Sequence, residues 1–120
     1  MESIKTQKAI FLGEQDGPTE RSLKTELAKF FVLNQEIISA YLARVSYAEV
    51  PGSQIALCLK GGEQNAQELV QGIGKVFSRL FNPMQHLDIL FLSEIQLESI
   101  ERVAKPFYSS HTSGTRNPNS

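Results

Sequence analysis

Two acids, Glu14 and Asp16, stand either side of Gln15 between an apolar run and the start of a helix, in the stretch FLGEQDGPTE. Carboxylates in a glycine-bounded loop can grip an α-ammonium group. Gly13, Glu14, Asp16 and Gly17 are therefore the candidate ligand-binding residues, with an amino acid as the ligand class. The competing reading needs less: Gly13, Gly17, Pro18 and Thr19 suffice for a turn that reverses the chain and sets up a helix. The sequence favours the turn, and alanine at Glu14 and Asp16 is then expected to be nearly silent for stability.

A second candidate is the Gly61-Gly62 pair, which precedes a predicted helix start where free amides and the helix dipole favour anions. Neither the Walker lysine nor the dinucleotide glycine spacing accompanies it, so a turn is again the simpler reading. Nucleophilic catalysis would need a base beside Cys58 or a serine. The two histidines are His86, between a helix and a strand, and His111, in a polar tail. Cys58 is the one cysteine, so it makes no internal disulfide, and its apolar neighbours mark it as a small buried hydrophobe. One cysteine and two distant histidines offer no metal-ligand spacing. No catalytic residue, metal or cofactor is expected, and the chain does not read as an enzyme.

The 120 residues make one domain, with 12 basic and 13 acidic side chains and a formal net charge of −1. That balance gives no field to attract nucleic acid or an anionic membrane. No stretch approaches the ~20 apolar residues of a membrane span, and the first apolar run is too short for a signal peptide. A cytoplasmic protein is expected.

The elements that must position these residues follow from periodicity. Ala9 to Leu12 reads as a buried strand. Leu23, Leu27, Phe30 and Phe31 have helical spacing after Pro18, with Thr19 or Ser22 as cap and Asn34 as stop. From Ile38 to Tyr47 the period becomes two, with Tyr41, Ala43, Val45 and Tyr47 on one face and Ala40, Leu42 and Arg44 on the other. "VPGS", 50–53, is expected to turn the chain into a strand with Ile55, Leu57 and Leu59 on one face and Ala56 and Cys58 on the other. A second helix carries Leu69, Ile73, Val76, Phe77 and Leu80, with Asn65 and Glu68 at capping-box spacing and Asn82-Pro83 ending it. Gly72 and Gly74 in that helix imply close packing of its backbone on the sheet. Leu87 to Leu92 reads as a central strand, and Gln96 to Ala104 as a short helix. From Ser109 the tail holds no apolar residue and is expected to be disordered, leaving 1–108 as the domain. The order is β-α-β-β-α-β plus a helix. With helices on one face of a four-stranded antiparallel or mixed sheet, the α+β class and a ferredoxin-like arrangement are predicted.

Leu12-Gly13-Glu14, Pro18-Thr19-Glu20, Ala40-Tyr41-Leu42-Ala43 and Lys105-Pro106-Phe107-Tyr108 resemble the C-terminal domain of the enhanced serine sensitivity (SseB) proteins. The resemblance spans roughly residues 8 to 108, and Lys105 to Tyr108 is its most specific part. It departs at Gln15, where the family pattern has proline, and the N-terminal domain of longer members is absent. It implies an α+β fold and a cytoplasmic bacterial protein and supplies no catalytic residue. The turn also shares residue types, in a different order, with the amino-acid-binding turn of ACT-type regulatory domains. The leading expectation is a non-catalytic interaction or adaptor domain that self-associates or docks on a protein partner. An amino-acid-sensing module is the alternative, and a secretion chaperone the third reading.

Overall fold

The computed structural model describes residues 9–47, 50–82 and 86–110. These form β1 (Ala9–Glu14), α1 (Pro18–Val32), β2 (Ile37–Tyr47), β3 (Val50–Gly61), a 3₁₀ turn (Glu63–Asn65), α2 (Ala66–Leu80), β4 (Asp88–Phe91), α3 (Glu94–Glu101) and β5 (Tyr108–Ser109). The described residues are α+β, with one mixed five-stranded sheet and three α-helices among them.

The sheet runs β1-β2-β3-β4, with β1–β2 and β2–β3 antiparallel and β3–β4 parallel. β5 also pairs with β2, at Ser39 and Ala40, while β1 takes Ala43 to Tyr47. β1 and β5 thus lie end to end along one edge of β2. This pairing differs from the ferredoxin-like arrangement, in which the first strand lies beside the third and antiparallel to it, not beside the second. The difference begins at residues 15–17, where the chain does not double back. Glu14 stands opposite Ala43, in the middle of the 11-residue β2, and the backbone N–H of Gln15 continues the ladder to the Leu42 carbonyl. α1 then runs on for about 22 Å over the half of β2 that β1 does not reach. Near its end, Phe31 packs on Phe107 and Tyr108 beside β5, and β2 returns antiparallel from Ile37. The expected chain-reversing turn is a corner that carries the chain onward.

The helices cover both faces of the sheet rather than one. Leu23, Leu27 and Phe31 of α1 and Leu69, Ile73 and Val76 of α2 pack with Ala40, Leu42, Leu57, Leu59 and Ile89. On the opposite face, Ile100 of α3 closes over Phe11, Tyr41, Ala43, Val45, Ala56, Cys58 and Leu90. The period-two alternation predicted for β2 and β3 is what divides these two cores. β4 is buried on both faces, which explains a run apolar but for Asp88, yet it ends the sheet order instead of lying centrally.

Local details depart from expectation where side chains found other partners. Gly17, not Thr19 or Ser22, caps α1, and it offers no side chain. Asn65 makes no capping box, because its amide donates to Glu36 Oε2 at 2.9 Å. Gly72 accommodates Phe30 of α1, not the sheet: a Cβ there would meet Phe30 Cε1 at 2.6 Å, while Gly74 faces open space. Residues 50–53 lie within β3, where a ladder irregularity between Val45 and Tyr47 places Gly52 at φ 82°. Residues 48–49, between β2 and β3, lie outside the described residues. α3 begins two residues before the predicted Gln96 and ends at Glu101, started by a capping box in which Ser93 Oγ accepts from the Gln96 amide and Gln96 Oε1 accepts from the Ser93 amide. The tail is ordered further than composition implied, since Ser109 lies in β5 and the Ser110 amide donates to the Ile38 carbonyl at 2.9 Å. Residues 111–120, with His111, lie outside the described residues, as does Pro83.

Candidate functional site

The corner between β1 and α1 brings Glu14 and Asp16 together around one cation. Lys24, one and a half turns into α1, donates from Nζ to Glu14 Oε2 and to Asp16 Oδ1, both at 2.8 Å. Its side chain is only 11% exposed, against 35% and 45% for the two carboxylates. The hydrogen bond from Lys24 holds the Asp16 carboxyl below its ordinary range, against a smaller effect of desolvation. Burial works against the Lys24 charge, but the bonds to Asp16 and Glu14 outweigh it and hold the ammonium above its usual value. Arg21 adds a looser contact to Asp16 at 3.4 Å. The place between the carboxylates that a ligand's α-ammonium group would take is filled by the protein's own lysine.

Gln15 extends the corner. Its side chain accepts from Arg44 Nε at 3.2 Å, and Arg44 Nη1 donates to Ser53 at 3.0 Å. Gly13 borders a ladder irregularity and has open space where a Cβ would stand, and Gly17 has φ −77°, which any residue adopts. Neither glycine is demanded by backbone strain. The structure thus places Glu14 and Asp16 in one charge cluster and leaves the two glycines as spacers.

Gly61 and Gly62 are required by geometry. Both have positive φ, 90° and 89°, and side chains there would press on the backbone of Glu36 and on Ile37 and Leu69. They join β3 to the 3₁₀ turn, with Glu36 and Glu63 as the nearby charges. Those carboxylates oppose an anion at this corner.

A third polar group was not anticipated. Asp88, in β4, has a side chain 3% exposed and accepts from the Tyr47 hydroxyl at 2.8 Å on Oδ2. His86 Nε2 lies 2.7 Å from Oδ1, and its ring is 44% exposed. Burial and the bond to Asp88 push the Tyr47 hydroxyl far above its ordinary range. Burial, helped by the Asp88 charge, does the same to the Cys58 thiol, which therefore stays protonated. An imidazole oriented by a buried carboxylate can carry protons. Its sequence signal was a single acid inside the apolar run Leu87 to Leu92. Across the sheet, the Tyr41 hydroxyl donates to Glu101 Oε2 at 2.8 Å and ties α3 down. Burial, then that bond, pushes Tyr41 up to about 12.

A further open feature is the outer edge of β1. β1 pairs with β2 on one side and with nothing on the other among the described residues. Phe11 is buried under α3, while Ile10 and Leu12 are 52% and 51% exposed. They are uncovered because α1 runs away from β1 instead of back across it. No group of three or more histidine, cysteine or acidic side chains suited to a metal occurs among the described residues, nor any helix long and apolar enough to cross a membrane. The chain matches no protein-family model, and neither a characterised relative nor a solved structure matches it.

Proposed function

We propose that this chain is a non-catalytic interaction domain that docks an extended segment of a partner protein along the outer edge of β1. The reading rests on one observation: an edge strand unpaired among the described residues that displays Ile10 and Leu12. A free ladder edge supplies backbone hydrogen bonds to an added strand, and alternate side chains supply apolar contact. The irregularity at Phe11 to Gly13 bends the far end of β1, so the guest strand is short. The motifs that resemble SseB C-terminal domains support, on this reading, a cytoplasmic bacterial protein. Amino-acid sensing at Glu14 and Asp16 has less support, because a ligand would have to displace Lys24 from two 2.8 Å bonds.

A displayed library of seven-residue peptides, selected on the wild type and counter-selected on an Ile10→Lys/Leu12→Lys variant, tests the proposal. Peptides with alternating apolar residues that bind only the wild type are expected. Recovery of peptides that bind both proteins equally would remove β1 as the docking edge.

A further inference from the structure

We propose that copies of this chain stack head to tail, with α3 of one copy seated in the groove between α1 and α2 of the next. The inference is independent of the β1 reading and rests on two surfaces on opposite sides of the molecule.

The first surface is a groove. The start of α1 lies beside the end of α2, leaving two cavities of about 520 and 610 Å³ that share Val76 and Arg79. Val76, Leu80 and Phe30 make an apolar floor, and Arg21, Lys75 and Arg79 supply positive charge along it. Glu26 is the groove's acid and is already paired with Lys29, as Arg21 is with Asp16. Lys75 and Arg79 have no ion-pair partner among the described residues. From Arg21 to Phe30 the groove is about 14 Å long at the helical rise.

The second surface is the outer side of α3. Ile95 is 76% exposed there, flanked by the exposed acids Glu94 and Glu98, with Glu101 and Arg102 at the helix end. Glu94 pairs with Lys60, and Glu98 has no partner among the described residues. Eight residues of helix span about 12 Å, close to the groove's length. An acidic helix with one apolar knob complements a basic groove with an apolar floor. Because α3 covers one face of the sheet and the α1–α2 pair covers the other, the contact joins unlike surfaces. It therefore propagates as a stack instead of closing on itself as a symmetric dimer.

Sedimentation velocity over a concentration series tests this with three proteins: wild type, Lys75→Glu/Arg79→Glu, and Glu98→Lys. All changed positions are exposed, and circular dichroism melts check that each variant folds. The wild type should associate at low ionic strength and dissociate when salt is raised to molar levels, because screening then reaches contact distance. Each variant alone should associate at least about tenfold more weakly. Mixing the two should restore association, since the new lysine faces the new glutamates while the unaltered α3 meets the unaltered groove. Ile95→Ser should weaken the contact at every salt concentration. A wild type that remains monomeric at low salt and high concentration would overturn the proposal. So would a mixture that associates no better than its components.

Discussion

Replacing Tyr47 by phenylalanine tests a side-chain hydrogen bond that is buried at both ends. The substitution keeps the ring and deletes the one hydroxyl that donates to Asp88 Oδ2 at 2.8 Å. Asp88 retains His86 on its other oxygen, but its side chain is 3% exposed and Tyr47 is 4% exposed, so water cannot replace the lost donor. A hydrogen bond to a buried charged acceptor contributes about 1.5–3 kcal/mol. The expected loss is thus about 2 kcal/mol, a fall in Tm of roughly 8–16 °C for a domain of this size. Tyr41→Phe is the internal control. It removes a bond of the same 2.8 Å length, but the acceptor Glu101 is exposed and keeps water, so about 0.5–1 kcal/mol is expected. Differential scanning calorimetry at neutral pH reads both. The reasoning fails if Tyr47→Phe melts within about 0.5 kcal/mol of the wild type, or if the control costs more than the test.

Three further outcomes follow from the same geometry. Glu14→Ala/Asp16→Ala strips both partners from a lysine 11% exposed, so the double variant should be clearly destabilised in urea, not nearly silent. Because Asp16 is held below its ordinary 3.8, its share is whole above that value and drains as pH falls through the lowered one. The gap between wild type and variant should therefore narrow in acid, and a constant gap would refute the ion cluster. Tyr41 in the fold lies near 12 against an ordinary 10.0. Its stabilising contribution is whole below pH 10 and is lost between 10 and 12, so tyrosinate absorbance should rise together with loss of circular dichroism. Tyrosinate formation by Tyr41 in the folded protein, read as the absorbance that Tyr41→Phe removes, would contradict this if it came well before the loss of circular dichroism. Cys58, fully buried with its thiol held protonated, should react with a thiol reagent far more slowly in native buffer than in denaturant.

Strands and helices were legible in the sequence wherever one face had to be apolar. Tyr41, Ala43 and Val45 against Ala40 and Leu42 gave β2 both its period and its two cores. The direction in which the chain leaves β1 was not legible. Gly17-Pro18 is compatible with a reversal or a continuation, and the choice is made by distant contacts of Phe31 with Phe107 and Tyr108. The nearly continuous apolar run of β4 reported burial on both faces and was silent on strand order. At the candidate site, Glu14 and Asp16 were visible as a pair, but their partner Lys24 lies ten and eight residues away on a helix face where a lysine ordinarily meets water. The Tyr47–Asp88 bond spans 41 positions, and such long-range pairings leave no local trace beyond an acid in an apolar run.

An amide NMR titration of the isotopically labelled protein tests the docking account most directly, with a library-selected peptide in one series and millimolar serine in the other. The account predicts saturable shifts at the amides of residues 9–14 with the peptide and none at 14–17 with serine. Saturable serine shifts centred on Glu14 and Asp16 that disappear in Asp16→Ala, with β1 indifferent to the peptide, would contradict it.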